Sequence, residues 1–213
     1  AIAFARILPT PEGLREALAS NLRNENLALL FGVNNYSLSL TQTIIFYTIS
    51  LTIFNDLLSY IVHYLMHKIP VLWEFHKVHH SAETLNPLTQ YRVHPFELIL
   101  NNVKSIIGFG VVTGIFDYLS NHQVDKLVFL GANIFTFLFM LLGANLRHSH
   151  VKFKYPSLLE HIFISPFQHQ IHHSKNIKHH NKNMGSKLAI WDYLFGTLEL
   201  SKNNTQLRFG LSK

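Results

Sequence analysis

The chain has 213 residues, no cysteine and a formal net charge of +6 with histidine neutral. Without cysteine it can carry no disulfide framework, no thiolate metal site and no iron–sulfur cluster. It is 48% hydrophobic and only 14% charged, against about 25% charged for an ordinary soluble domain, and that shortage points to a membrane. In chain order, Thr10-Pro11-Glu12 predicts a helix start, with the threonine as cap and the proline in the first turn. The helix is expected to run to about Phe31 and carries both charges and leucines, so residues 1–36 are expected to form an amphipathic N-terminal segment lying at a surface. Ala1–Leu8 is too short for a secretory signal and no cleavage pattern follows it, so no signal is expected.

Three apolar runs come next, near 38–66, 98–116 and 127–146. A bilayer core takes about 20 residues of helix, so each is a candidate span. No repeat, low-complexity tract or Gly/Ser linker divides the chain, which predicts a single domain over 1–213. A short loop, Asp117–Lys126, joins the second and third runs and makes a hairpin of them. His63–Glu97 and Arg147–Lys213 then share one face of the membrane. The second region holds ten of the eighteen Lys and Arg residues. The positive-inside rule places that face, with 147–213 as a cap, in the cytoplasm. His122, in the opposite loop, falls outside any shared site.

Histidine is over-represented, with fifteen residues, most of them clustered. His63 and His67 lie at i and i+4, on one helix face. His76, His79 and His80 form an H-x-x-H-H triplet, and His169, His172 and His173 repeat it. Buried neutral imidazoles need partners and buried charged ones repel; a metal ion resolves both. Eight nitrogen ligands exceed what one first-row ion accepts, which implies two ions. Imidazole alone does not choose among Zn, Cu, Fe and Ni. His148 ends the third run on the same face and is a ninth ligand candidate. His150 is two residues on, off that helix face. His94, beside Arg92 and Glu97, reads equally as ligand, support or structural residue. His179 either lines the site or is solvated among lysines. Asp56 is a carboxylate inside an apolar run, a costly placement that usually marks function, and it lies two helical turns before His63. Glu97 and Asp192 are weaker candidates to orient an imidazole. Trp73 and Trp191 read equally as belt residues at the membrane interface.

These residues resemble the fatty acid hydroxylase / sterol desaturase superfamily of integral-membrane di-iron enzymes. Asp56, Tyr60, His63 and His67 are similar to its D-x-x-x-Y-x-x-H-x-x-x-H segment. Leu72–Ser81 is similar to its second histidine box and Ser165–Ser174 to its third. Arg147–Val151 resembles an element around His148, and Asn181–Thr197, with Asn183 and Asp192, resembles the closing D-K-N-x-G…W-D-x-x-F-G-T pattern. Tyr64, His150 and Asn181 depart from that family's common residues, but no box histidine is lost. The resemblance implies an all-α, membrane-embedded helical bundle whose cytoplasmic helical cap carries the di-metal site. It implies two iron ions, with zinc as another occupant, and O2 as co-substrate. The reaction implied is hydroxylation or desaturation of a sterol or fatty acyl lipid, in a bacterial inner membrane or the endoplasmic reticulum. The chain has no nucleotide-binding fingerprint, so electrons are expected from a separate donor of cytochrome b5 or ferredoxin type. A metal transporter or a metal-binding protein without turnover is the competing reading. Its histidines, however, gather at one face instead of running through the spans. Nucleic acid is not expected, because membrane topology accounts for the lysines.

Overall fold

A computed structural model describes residues 13, 38–120, 124, 143–203 and 206–211. The amphipathic N-terminal segment, His122 and nearly all of the run at 127–146 lie outside the described residues. The described elements are helical: α1 (Leu40–Lys68), α2 (Pro70–His80), α3 (Pro95–Leu119), α4 (Asn145–Arg147), α5 (Pro166–His172) and α6 (Ile190–Leu194). Short 3-10 turns interleave with them at Pro87–Tyr91, Leu159–His161, Ile177–His179 and Ser201–Asn203. Among the described residues there is no strand, only an isolated antiparallel bridge between Phe163 and Leu188. The all-α class expected from the sequence is what the described residues adopt.

α1 and α3 coincide with the first two predicted spans. At 29 and 25 residues they are about 44 and 38 Å long, more than the ~30 Å of bilayer hydrocarbon. Their apolar stretches are mostly unburied, with Ile45, Phe46, Ile49, Ile99 and Ile107 among the exposed side chains. A soluble core helix would hide such residues; by length and composition both helices can cross a membrane.

The chain divides into two compact units. Residues 1–55 and 102–135 make the first. Its core is Tyr47, Leu51, Val112, Phe116 and Val124. Tyr47 meets Phe116 edge-on at 5.7 Å and shares a 3.0 Å hydrogen bond with Thr113.

Residues 56–101 and 136–213 make the second, and it holds every box histidine. Its elements are short, so buried polar groups tie it together. α1 stops at Lys68 because Pro70 forces the preceding Ile69 into an extended conformation; the chain turns there and resumes as α2. α5 is started by Ser165 and Gln168, whose side chains cap each other's backbone N–H groups at 3.2 and 2.8 Å, with Pro166 at the first position. The buried Glu160 carboxylate accepts from the hydroxyls of Ser165 and Ser201 at 2.8 and 2.6 Å and from the Ser201 N–H at 2.9 Å. Such multiply bonded carboxylates offset their own desolvation.

Candidate metal centre

The nine histidines expected as ligands converge in the second unit, in two groups. His63, His67, His76, His80 and His172 form one; His79, His148, His169 and His173 form the other. Within each group the ligand nitrogens lie within 4.8 Å of one another. The two H-x-x-H-H triplets divide in opposite senses. His76 and His80, at i and i+4, join the first group and His79 the second. His169 and His173 join the second group and His172 the first. The intermediate i+3 residue therefore crosses to the neighbouring site each time, and the groups adjoin where His80 stacks on His173 at 4.5 Å.

A divalent cation in each group fits what the nitrogens lack. Nε2 of His67, His76, His80 and His172 are buried with no hydrogen-bond partner, a cost of about 1–3 kcal/mol apiece if left so. In the second group Nε2 of His148 faces Nε2 of His79 at 3.2 Å and of His169 at 3.0 Å, and His169 faces His173 at 3.2 Å. A neutral imidazole has one N–H. His148 gives its own from Nδ1 to the Ala144 carbonyl, so its Nε2 presents a bare lone pair to the others. His63 and His172 are tied in the same way, from Nδ1 to the Met184 and Lys182 carbonyls at 2.7 and 2.9 Å. His76 Nδ1 donates to Glu97 at 3.1 Å. These outer bonds fix tautomer and ring orientation, as metal-ligating histidines require.

Burial keeps the rings neutral. It lowers His76 to about 4. Burial and then neighbouring imidazoles lower His79 and His148 to about 3 and put His80 and His173 well below their usual value. The folded pKa values lie below the unfolded value, so the unfolded chain binds protons first as pH falls. Stability of the metal-free protein is therefore full above about pH 6.5 and is lost below it, by roughly 2 kcal/mol per such histidine on reaching pH 5. Thermal unfolding of metal-free protein from pH 8 to 5 should show a steep fall in Tm below pH 6.5; a flat profile would contradict the buried neutral cluster.

The remaining candidates are placed as follows. Glu97 is buried on His76. Glu97→Gln keeps an acceptor but loses the charge. It should weaken metal binding by the five-histidine group about 10–100-fold and leave the other group unchanged, as read by chelator competition. Asp56 is fully buried, but it bonds no imidazole. It accepts from the N–H groups of Lys187 and Leu188, both at 2.9 Å, and from Trp191 Nε1 at 3.1 Å. Tyr60 bonds Thr197 at 3.0 Å, and Asp192 accepts from Thr197 and from the Met184 and Gly185 N–H groups. Asn183, at φ 53, fastens its segment to the Gln168 and Glu199 backbone. His94, His150 and His179 join neither group. His94 instead accepts the Phe96 N–H at 3.1 Å at the start of α3. Sequence reasoning missed Arg147, whose guanidinium donates to the Ser186 carbonyl at 2.7 Å, and the carbonyls of Lys182 and Met184. Backbone acceptors carry no residue signature.

A cavity of about 470 Å³ opens onto the five-histidine group. His67, His80, His172, Trp73 and, from the four-histidine group, His173 line it together with Glu74, Lys77 and Lys175.

The chain is similar to alkylglycerol monooxygenase of Caenorhabditis elegans, 27% identical over 74% of this chain and 28% of that protein. It is 31% identical to the ornithine lipid hydroxylase OlsE of Rhizobium tropici over 65% of this chain and 37% of that protein. Human alkylglycerol monooxygenase is 27% identical over 72% and 30%. The chain thus spans about a third of the length of these curated relatives. No solved structure matches it significantly. The fatty acid hydroxylase family model matches residues 48–197, a stretch that contains both histidine groups and the backbone that orients them; the chain belongs to the fatty acid hydroxylase family.

Proposed function

We propose that the chain carries an O2-dependent lipid hydroxylase with two metal ions, iron in each, held by the five-histidine and four-histidine groups. The observation that carries this reading is the gathering of nine imidazoles in two adjoining groups, with unpartnered Nε2 atoms in the first and Nε2 atoms facing one another in the second. Iron held there supplies O2 activation and hydrogen removal from an unactivated carbon.

The chain's own residues do the rest. Glu97 and the Lys182, Met184 and Ala144 carbonyls hold imidazole N–H groups so that the opposite nitrogens point inward. Burial keeps the imidazoles unprotonated at neutral pH. Asp56 and Asn183 fix the backbone that bears the carbonyls. We propose a polar-headed acyl or alkyl lipid as the substrate, not a sterol. The relatives named for alkylglycerol and ornithine lipid support that choice, as does a cavity with both charged and apolar lining. Hydroxylation is preferred to desaturation on the same ground. Electrons would come from a separate protein donor at the cytoplasmic face of the membrane.

The purified protein should hold about two iron ions per chain. Lipid extracts of cells expressing it should contain species heavier by one oxygen atom than those of cells without it. Iron-loaded protein whose expression adds no such species, or depletes lipids by two hydrogens instead, would overturn the hydroxylase assignment.

A further inference from the structure

The histidine-bearing unit exposes an apolar surface that the metal site does not use. Residues 161–164 run beside 187–193: Ile164 N donates to Lys187 O at 3.0 Å, Ala189 N donates to Ile162 O at 2.8 Å, and the His161 ring lies 5.8 Å from Tyr193. Ile164 and Ala189 pack inward, while several large apolar side chains on and beside these segments are exposed. Leu158 is 77% exposed, Tyr193 and Leu194 63% each and Phe195 59%, with Ile162 and Phe163 also exposed. A contiguous apolar patch of this kind marks a surface that something covers.

What covers it follows from where it joins α1. Phe195 stacks on Tyr60 at 5.3 Å, Tyr60 stacks on Tyr64 at 6.0 Å, and the Lys68 ammonium lies 5.5 Å from the Tyr64 ring centre. Tyr60, Tyr64 and Lys68 share one helix face. A tyrosine and a lysine at the end of an apolar helix, here Tyr64 and Lys68, mark the membrane–water boundary, while Tyr60 is buried beneath Phe195. α1 is about 44 Å long, the thickness of a bilayer with its headgroups. Tyr60 precedes Lys68 by eight residues and so lies about 12 Å deeper. With α1 spanning the bilayer, Phe195, stacked on Tyr60, would lie at that depth beside the acyl boundary, where a soluble partner does not reach.

We propose that the surface formed by Leu158, Leu159, Ile162, Phe163 and residues 193–195 is embedded in the headgroup–acyl boundary of a bilayer, a second membrane contact besides the spanning helices. It holds the histidine-bearing unit against the leaflet that supplies its lipid. The proposal rests on α1 crossing a membrane, and the test separates the two.

The chain has no cysteine, so Leu158→Cys, Leu194→Cys, Lys175→Cys and Ile49→Cys each place a single environment-sensitive fluorophore on the full protein in phosphatidylcholine nanodiscs. Lipids nitroxide-labelled near the headgroup should quench the labels at 158 and 194, lipids nitroxide-labelled along the acyl chain should quench the one at 49, and neither should affect the one at 175. Quenching at 49 but not at 158 and 194 overturns the proposal and leaves the spanning helix intact. Absence of quenching at 49 as well overturns the membrane reading itself. Shielding at 194 that grows with the number of protein copies per disc, without nitroxide quenching, assigns the surface to a second copy and also overturns it.

Discussion

His79→Ala and His80→Ala, substitutions at neighbouring positions, are expected to deplete different metal ions. Helical geometry puts i and i+4 on one face, and i+3 is offset from i+4 by about 100°. The structure uses that offset. His80 goes with His76 and His67, while His79 goes with His148, His169 and His173. Each single variant should fall from two to about one ion per chain, and lipid oxygenation should drop below detection in both because the chemistry needs the pair. His79→Ala should be the more severe for its own ion, since that group has four nitrogens and the other five. The doubles carry the discrimination. His79→Ala with His169→Ala removes two ligands of one group and should leave the five-histidine ion in place. His79→Ala with His80→Ala should empty both groups. Residues that share a partner are non-additive and independent ones add, so metal content by mass spectrometry distinguishes the cases. If His79→Ala and His80→Ala lost the same ion, and the double lost no more, the two-group reading would be wrong.

That partition is the part of the site that spacing alone did not reveal. The sequence places His76, His79 and His80 within one arc of about 100° on an isolated helix. Which neighbour each meets depends on how α5 packs against α2, a contact between residues about ninety positions apart. The boundaries of these elements were more legible because they are local. Pro70 ends α1, and the S-P-x-Q pattern from Ser165 to Gln168 starts α5. The apolar runs gave α1 and α3 to within a few residues for the same reason: their composition answers to the solvent, not to a partner. The third run lies outside the described residues.

Asp56 shows the intermediate case. A carboxylate in an apolar run must have partners, so its importance was readable; those partners, Lys187, Leu188 and Trp191, were not. The Trp191 indole is thereby committed to a hydrogen bond, whereas composition left it equally able to sit at a membrane boundary. Glu160 gave no signal, being one acid among twelve, and only the fold shows it gathering the 165 and 201 segments. From its position near the boxes His94 read equally as a ligand, a support or a structural residue. Its ring instead accepts a backbone N–H where α3 begins, a position that a cap residue commonly fills.

The second large effect is expected at Asp192 and Gly185, neither of which touches a ligand nitrogen. Thr197 donates to Asp192 Oδ1 at 2.6 Å, the Met184 and Gly185 N–H groups donate to its two oxygens at 2.7 Å, and Tyr60 bonds Thr197 in turn. Burial raises the Asp192 carboxyl, and these donors oppose the rise. The clamp sets the direction of the Met184 carbonyl, which holds His63. Asp192→Ala leaves three donors unsatisfied, two backbone and one hydroxyl, at about 1–3 kcal/mol each. Gly185→Ala reaches the same segment from the other side, because a Cβ there would collide with the Leu188 carbonyl oxygen and lie 2.7 Å from Asp192 Oδ2. Both variants should therefore weaken the five-histidine group about 10–100-fold in metal affinity while the four-histidine group keeps its ion. Tyr60→Phe removes only the outermost hydroxyl and should cost about 1 kcal/mol in stability with both ions retained. Chelator titration followed by thermal unfolding reads all three variants. Equal loss of both ions in Asp192→Ala and Gly185→Ala would show that the clamp merely keeps the unit folded; selective loss of one ion shows that it aims His63.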